Sequence, residues 1–232
     1  MGVEPAQPEL GRTAMHPESA PMVSIVIPCR NEEECLSRCL DSIDNNDYPK
    51  DRLEVIVVDG MSDDATRAIL EAFSSRHDYL RTIDNPRREL QVALNIAIRA
   101  ARGEVIMRMD AHSTYNQDYI SQCVGALRHS GADNVGGRWV IEPRHNSILG
   151  RSICFATSVY FGVGNAYYRL TQVLSRRSYL REPHWDITVA FFCCRREIFD
   201  LIGLFNENLD RSEDIDFTAR LKREGFRTLF VP

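Results

Sequence analysis

The sequence predicts an α/β fold in which a mostly parallel sheet carries helices on both faces, as an open α/β/α sandwich. Short runs rich in β-branched residues alternate with amphipathic helical segments through the first half of the chain. Such alternation is typical of βαβ units, whose crossover connections make neighbouring strands parallel. The 232 residues, 44% hydrophobic and 26% charged, are enough for one globular domain of ordinary composition.

The first half alternates four predicted strands with three predicted helices. Residues 23–28 form an almost continuous apolar run that stops at a proline, as in a strand buried on both faces. Apolar residues at helical spacing follow from Cys35 to Ile43, so this segment has one apolar face. The two patterns recur as predicted strands at 53–59, 80–83 and 104–109, and as predicted helices at 64–73 and 90–100.

The second half is less regular. Residues 142–186 are rich in Arg, Tyr and Gly without clean periodicity, and we interpret them as a loop-rich segment. The predicted elements around it are a helix at 119–129, strands at 134–141 and 187–194, helices at 196–202 and 212–224, and a final strand within 226–232. Residues 1–22 contain four prolines and no apolar period, so they are predicted to be a flexible tail before a domain at 23–232.

Composition excludes several functional classes. A net charge of −5, from 28 basic and 33 acidic residues, gives no electrostatic footprint for nucleic acid, so none is expected as a partner. No run approaches the eighteen or so apolar residues of a membrane span. The first residues lack the apolar core of a signal peptide. The seven cysteines are scattered along the chain and are predicted to be reduced thiols. The expected compartment is therefore the cytoplasm.

Polar side chains follow three of the predicted strands at the point where each strand ends. These clusters lie at 28–32, 59–64 and 110–112. In open α/β sheets, ligands bind beyond the carboxyl ends of the strands, where the strand order reverses. The clusters are therefore the predicted site.

Four segments carry a family resemblance. They read VSIVIPCRNE at 23–32, VVDGMSDDAT at 57–66, MDAH at 109–112 and SED at 212–214. In this order they resemble the motifs of family 2 glycosyltransferases with the GT-A fold. The arrangement RMDAHS-x-Y at 108–115, with NVGG at 134–137, is most similar to the succinoglycan-biosynthesis branch. The resemblance covers residues 23–232 and implies a nucleotide-binding half at about 23–115 and an acceptor half at about 116–232.

The chain departs from the family pattern at two positions. Gly60 stands where the second motif usually has another acid, and His112 stands where the metal motif usually ends in Asp. The Gln-x-x-Arg-Trp motif of processive synthases is not found in these 232 residues, so processivity stays open. We expect the chain to continue in a C-terminal segment, through which the enzyme would associate peripherally with the inner face of the cell membrane.

The resemblance implies a nucleotide-sugar site, with UDP-hexose as the expected donor. Asp59 would accept a hydrogen bond from the ring N–H of uracil; by sequence alone, it could equally accept hydrogen bonds from its own turn. The same pocket would be shaped by Pro28, Asn31 and Glu32. Arg88 would approach the base or the pyrophosphate, although as a single residue it is more often a solvated side chain at the start of a helix. Asp186 ends an aromatic and basic segment at 160–185 and is predicted to contact the donor sugar or acceptor. Core packing is the alternative for those aromatic residues.

Asp110 and His112 are the predicted metal ligands. Two residues apart in an extended loop, they point to the same side of the backbone. Two protein ligands leave an open site, which suits a metal completed by diphosphate oxygens and water. An imidazole favours Mn²⁺ over Mg²⁺, which prefers oxygen ligands. On spacing alone, an ordinary strand-end acid and loop histidine explain the pair as well.

Asp214 is the predicted catalytic base, and Glu213 would orient the acceptor or the base. Both lie at the start of the helix that Ser212 is expected to cap, where the helix dipole stabilises carboxylates whether or not they act in catalysis. Helical spacing predicts that Asp214, Phe217 and Leu221 share the buried stripe, with Asp216 paired to Arg220 outside.

The resemblance therefore implies an inverting, metal-dependent transfer of a hexose to a glycan or lipid-linked acceptor in polysaccharide biosynthesis. Two alternatives remain open. A nucleotidyltransferase would release pyrophosphate instead, although its Gly-rich phosphate loop is missing after the first strand, since residues 28–31 contain no glycine. A catalytically inactive nucleotide-binding module is the other.

Overall fold

The computed structural model describes residues 20–143, 147–159, 184–185 and 189–231. The strands in this part of the chain are β1 (Val23–Cys29), β2 (Leu53–Asp59), β3 (Leu80–Asp84), β4 (Val105–Arg108), β5 (Asn134–Gly137), β6 (His184–Trp185), β7 (Cys193–Arg195) and β8 (Thr228–Val231). The helices are α1 (Leu36–Asp44), α2 (Thr66–Ser74), α3 (Leu90–Ala100), α4 (Tyr119–His129), α5 (Ile148–Ala156), α6 (Glu197–Ile202) and α7 (Glu213–Arg223), with a 3₁₀ turn at Lys50–Arg52.

The strands form one sheet in the order β3-β2-β1-β4-β7-β5-β8-β6. The four strands of the first half are parallel: β1 pairs with β2 and β4, and β2 pairs with β3. The chain moves outward from β1 to β3 and then returns to place β4 on the other side of β1. The strand order therefore reverses between β1 and β4, which is where such sheets bind ligands.

Helices cover both faces of this sheet, as predicted. Ile25 and Ile27 point into one core, which contains Leu36 of α1 and also receives α4. Val26 points into the opposite core, which contains Leu94 of α3 and also receives α6 and α7. Successive side chains of a strand face opposite sides, so a strand covered on both sides must be apolar throughout. This explains the nearly continuous apolar runs of β1 and β2.

The second half departs from prediction at two strands. The strand expected at 134–141 ends at Gly137, and bulky side chains pack directly on its last two residues. A Cβ atom on Gly136 would lie 2.5 Å from Val189 Cβ, and one on Gly137 would lie 2.7 Å from Tyr119 Cε2. The strand expected at 187–194 is reduced to β7, which is antiparallel to both β4 and β5. Residues 189–192 are buried by side-chain packing without extending the ladder.

Helix α5 lies inside the segment predicted to be loop-rich. The Ser147 hydroxyl accepts a hydrogen bond from the Gly150 N–H at 3.0 Å and caps the helix. The helix escaped sequence analysis because its apolar residues are not confined to one face: Ile148 and Leu149 are exposed, whereas Cys154 is buried. No helix in the described part of the chain combines the length and the apolar character needed to cross a bilayer. The first nineteen residues of the predicted tail lie outside that part.

Candidate active site

A cleft of about 250 Å³ opens at the carboxyl edge of the parallel strands, between the loops that follow β1, β2, β3 and β4. Five of the predicted site residues line it: Pro28, Glu32, Arg88, Asp110 and His112. The other predicted residues are not part of its lining, and Asp186 lies outside the described residues. Three of the four strand-end loops were expected to meet here, and the sheet brings them together.

The loops after β1 and β2 hold each other in place through reciprocal hydrogen bonds. Asn31 Nδ2 donates to Asp63 Oδ1 at 2.8 Å, and the Asp63 N–H donates back to Asn31 Oδ1 at 3.0 Å. Similarly, the Glu33 N–H donates to Asp64 Oδ2 at 3.2 Å, and Glu33 Oε2 accepts from the Ala65 N–H at 2.8 Å. Asn31 therefore shapes the cleft indirectly, by fixing the two loops that form its wall.

Non-glycine residues with left-handed backbone conformations surround the cleft. Among the described residues they are Asn31, Met61, Arg88 and Ser212, with φ between 53° and 64°. The first three lie in the loops after β1, β2 and β3, and Ser212 directly precedes α7. Such conformations are unfavourable for L-residues and persist where the surrounding structure enforces them, often at functional sites.

Asp59 is wholly buried at the end of β2, and its carboxylate has partners within the loop. Both of its oxygens accept from the Ser62 N–H, at 3.2 and 3.3 Å, and Oδ1 also accepts from the Ser62 hydroxyl. Arg67 donates to Oδ2 at 3.1 Å and to Asp84 at 2.6 Å. These contacts match the alternative in which Asp59 anchors its own turn. Its contact with a nucleobase stays a prediction.

Arg108 joins two motifs that are distant in the sequence, since it contacts both Asp110 and Glu213, which lies 105 residues after it. It ends β4, is 6% exposed and lines the cleft. Its Nε donates to Asp110 Oδ1 at 3.1 Å, and its NH1 donates to Glu213 Oε1 at 2.8 Å. Burial disfavours the guanidinium charge, but Asp110 and Glu213 outweigh this effect and raise the pKa of Arg108. The metal motif and the Glu-Asp motif are thus physically connected by a buried cation.

The start of α7 differs from prediction by one residue. Glu213, at 8% exposure, shares the buried face with Phe217 and Leu221, whereas Asp214 is partly exposed. Ser212 is the N-cap residue, as predicted, but it adopts φ 64° and its side chain accepts no hydrogen bond from the N–H groups of the first turn. Glu213 therefore points inward to Arg108, and the Asp214 carboxylate accepts from the Ile215 N–H at 2.9 Å. The Asp216–Arg220 pair is confirmed, at 2.9 Å.

His112 Nδ1 lies 3.1 Å from Glu32 Oε1, across the mouth of the cleft. This hydrogen bond is the main cause of a raised pKa for His112. It leaves Nε2 as the ring nitrogen that can bind a cation, and Asp110 Oδ2 is the oxygen not used by Arg108. Within the described residues, no group of three or more His, Cys, Asp or Glu side chains is arranged to hold a metal. Asp110 Oδ2 and His112 Nε2 fit an open site with two protein ligands, in which diphosphate oxygens and water would complete the coordination of a metal.

The side chain of Arg30 packs against Gly60, the position where the second motif usually has another acid. A Cβ atom on Gly60 would lie 3.2 Å from both Cβ and Cδ of Arg30. A side chain at position 60 would therefore require the aliphatic part of Arg30 to shift slightly. Glycine at this position leaves room for the Arg30 side chain, which is exposed and lines the cleft.

Sequence reasoning missed Arg108 and Asn85, both of which line the cleft. A signal for Arg108 existed, because it is the one charged residue of the strand Val105–Arg108, whose residues are all buried. Asn85 is 1% exposed and follows β3, whose end was not among the polar clusters considered. Its backbone N–H donates to the Asp59 carbonyl at 2.7 Å, which places it beside the second motif.

The family model described as glycosyl transferase family 2 matches residues 24–203. The chain belongs to glycosyl transferase family 2. Within this family it is 28% identical to the succinoglycan biosynthesis protein ExoA of Rhizobium meliloti over 205 residues, covering 88% of this chain and 58% of ExoA. The chain spans about three fifths of the length of the curated relatives that head its matches.

Solved structures of glycosyltransferases share the fold. The mannosyltransferase PcManGT of Pyrobaculum calidifontis, in complex with GDP-Man and Mn²⁺, superposes with a TM-score of 0.68 at 23% identity, over 95% of this chain and 57% of that one. Staphylococcus aureus TarS, in complex with UDP, superposes with a TM-score of 0.65 at 19% identity, over 90% and 57%. These likenesses confirm the GT-A architecture expected from the four motifs.

Proposed function

We propose that this family 2 glycosyltransferase domain moves a hexose from a nucleotide-diphosphate sugar to a glycan or lipid-linked acceptor in polysaccharide biosynthesis. The donor proposed is a UDP-hexose, and the reaction is proposed to invert the anomeric configuration. The relatives support this class of reaction, since ExoA is named for succinoglycan biosynthesis and TarS binds UDP.

The observation that carries the proposal is the junction of Asp110, Arg108 and Glu213 at the wall of the cleft. A transferase must bring the leaving nucleotide and the attacking acceptor to one anomeric carbon. Here the strand-end loop that would hold the nucleotide and the helix start that would hold the base are tied together through one guanidinium. A module that only bound nucleotide would need the first of these and not the second.

Asp110 and His112 are the residues that would hold a divalent cation, with Mn²⁺ favoured by the imidazole. Such a cation stabilises the negative charge that develops on a leaving diphosphate. Glu32 contributes by fixing the ring of His112, because its carboxylate occupies Nδ1 and leaves Nε2 for the metal. Arg88 lines the same cleft, and no ion pair holds it among the described residues, whereas Arg87 is paired with Glu89 and Glu207. Arg88 is therefore the cation proposed to meet the donor phosphates.

Asp214 is proposed to accept the proton of the attacking hydroxyl. It lies in the first turn of α7, where the helix dipole favours the ionised carboxylate that a base requires. Its carboxylate accepts one backbone N–H, from Ile215, and is partly exposed, so an incoming hydroxyl has access to it. Glu213 holds this turn through Arg108. A single displacement by a hydroxyl on the face opposite the leaving group inverts the anomeric centre.

A donor-panel assay tests the proposal. The protein is incubated with UDP-glucose, UDP-galactose, UDP-N-acetylglucosamine, GDP-mannose and CDP-glucose in the presence of Mn²⁺, and free nucleotide and pyrophosphate are measured separately. The proposal expects release of UDP from at least one UDP-hexose without pyrophosphate. Pyrophosphate release would instead identify a nucleotidyltransferase. Binding of UDP without turnover, both in this chain and in a full-length protein that contains it, would identify an inactive module.

A further inference from the structure

Asn85 lines the cleft, and its side-chain oxygen is buried without a hydrogen-bond partner among the described residues. Asn85 is 1% exposed, and within the described part of the chain its Oδ1 accepts no hydrogen bond. Leaving a buried acceptor unpaired is unfavourable, and native proteins retain few such groups. An unpaired acceptor on a residue that lines a ligand cleft is explained if the ligand supplies the missing donor.

The orientation of the Asn85 amide is fixed by its other end. Nδ2 donates to the Glu89 carbonyl oxygen at 2.9 Å. A carbonyl can only accept a hydrogen bond, so the atom facing Glu89 must be the nitrogen, and the unpaired atom must be the oxygen. Rotating the amide to present Nδ2 to a ligand would break this bond and place two oxygens against each other. Asn85 is therefore held as an acceptor.

We propose that Asn85 Oδ1 accepts a hydrogen bond from the ring N–H of the donor nucleobase and thereby selects uracil over cytosine. The inference rests on the proposed function, because it names a specificity-determining residue of the same cleft. Uracil carries a hydrogen on N3, whereas N3 of cytosine carries a lone pair. Cytosine would therefore leave Oδ1 unpaired and set two acceptors against each other.

The alternative acceptor, Asp59, is already occupied. Its two oxygens accept from the Ser62 N–H, the Ser62 hydroxyl and Arg67. The Asn85 N–H donates to the Asp59 carbonyl, so the two side chains are neighbours at the ends of adjacent strands. The Asp59 side chain holds its own turn, and the Asp59 backbone carbonyl holds Asn85. Of the two side chains, Asn85 is the one whose acceptor oxygen is unpaired within the described part of the chain.

Oδ1 is covered in this structure, so a base reaches it only when a side chain of the cleft wall moves. Arg88 is the residue best suited to move. It is exposed, it lies three residues after Asn85, and its N–H donates to the Asn85 carbonyl at 3.1 Å. Among the described residues no ion pair restrains its guanidinium, so its displacement breaks no salt bridge.

The test measures UDP and CDP affinity by calorimetry in Mn²⁺ for the wild type and three variants. Asn85→Leu removes the acceptor at nearly constant volume. Asn134→Leu is the matched control, because Asn134 is equally buried, its Oδ1 is likewise unpaired among the described residues, and it does not line the cleft. Asp59→Asn tests the alternative acceptor.

We expect the wild type to bind UDP about tenfold more tightly than CDP, which corresponds to about 1.4 kcal/mol, in the range of one unpaired buried acceptor. Asn85→Leu should bring the two affinities within about twofold, whereas Asn134→Leu and Asp59→Asn should keep the preference. Where Asn85→Leu does not fold, Asn85→Ala serves in its place.

Two results would overturn the inference while leaving the proposed function intact: equal wild-type affinities for UDP and CDP, or an undiminished preference for UDP in Asn85→Leu. Loss of the preference in Asp59→Asn alone would assign base selection to the carboxylate instead. Failure of the wild type to bind any nucleoside diphosphate in Mn²⁺ would overturn the proposed function, and this inference with it.

Discussion

Replacing Arg108 with Met should destabilise the protein far more than replacing an exposed arginine. Arg108 is the cation between two carboxylates, Asp110 and Glu213, in contacts of 3.1 and 2.8 Å, and all three side chains are at most 15% exposed. Methionine keeps an unbranched apolar stem but removes the guanidinium group and its charge. Both carboxylates then remain poorly solvated and without their cation. Removing one partner of a buried pair in this way is destabilising by about 3–5 kcal/mol.

That loss is a large share of the roughly 5–15 kcal/mol by which domains are usually stable. Urea denaturation followed by circular dichroism measures it, with Arg52→Met as the control. Arg52 is exposed and lies 3.9 Å from Asp51, so its replacement should change the free energy of unfolding by less than about 1 kcal/mol.

A second variant separates charge from packing. Glu213→Gln added to Arg108→Met removes one of the two stranded carboxylates, so the double variant should be more stable than Arg108→Met alone. Residues in one buried network show such non-additive effects. If Arg108→Met lost no more stability than Arg52→Met, or if Glu213→Gln destabilised both backgrounds equally, Arg108 would not be the electrostatic bridge described here.

Three further predictions concern other parts of the molecule. Asp214→Asn should keep the affinity for UDP with Mn²⁺ and change the free energy of unfolding by about 1 kcal/mol or less. It should lower the transfer rate of a full-length enzyme by about 10²–10⁴-fold, as expected for loss of a general base. Transfer at the wild-type rate would refute the role of Asp214. His112→Asp should retain UDP binding and shift the metal preference toward Mg²⁺, because oxygen ligands suit the harder cation; titrations in the two metals would show this, and an unchanged preference would argue against His112 as a ligand. Glu54 lies 2% exposed at the opposite edge of the sheet, and although burial opposes its charge, Ser24 and Arg102 lower its pKa below the ordinary 4.5. A lowered pKa gives stability that is fully present above pH 4.5 and is lost as the pH falls through the folded-state pKa. Glu54→Gln should therefore reduce the dependence of the free energy of unfolding on pH, measured by urea denaturation between pH 3 and 6. An unchanged slope in this range would contradict the prediction.

The first half of the fold was predictable because its strands are buried on both faces. An apolar run such as Val23–Cys29 has few structural alternatives, and the alternation of such runs with helices predicts that neighbouring strands are parallel. Helix α5 could not be predicted in the same way, because Ile148 and Leu149 are exposed and no apolar stripe marks its buried face. The close approach of Val189 and Tyr119 to Gly136 and Gly137 could not be predicted either, because sequence periodicity carries no information on such distances.

The candidate site was predictable in composition but not in contacts. The motifs placed Asp110, His112 and Glu213 near one another, and the structure brings them to one edge. Phe217 and Leu221 of α7 are buried as predicted, but Glu213 and not Asp214 shares their face, since Glu213 and Phe217 are four residues apart and stand one above the other on a helix. Arg108 was missed because its role depends on its ion pairs with Asp110 and Glu213, and Asn85 because its role depends on a side-chain oxygen that is unpaired among the described residues. Both features arise only when the chain is packed.

The most direct test of the central claim is a calorimetric titration of UDP in Mn²⁺ and in EDTA, with the wild type and Asp110→Asn. We expect UDP to bind the wild type at least tenfold more tightly with Mn²⁺, because a diphosphate that enters a protein of net charge −5 beside Asp110 needs a bridging cation. Asp110→Asn should lose most of this metal-dependent gain while keeping the weak affinity measured in EDTA. Equal affinity of the wild type in Mn²⁺ and in EDTA, or an undiminished metal effect in Asp110→Asn, would contradict the assignment of this cleft as the nucleotide-sugar site.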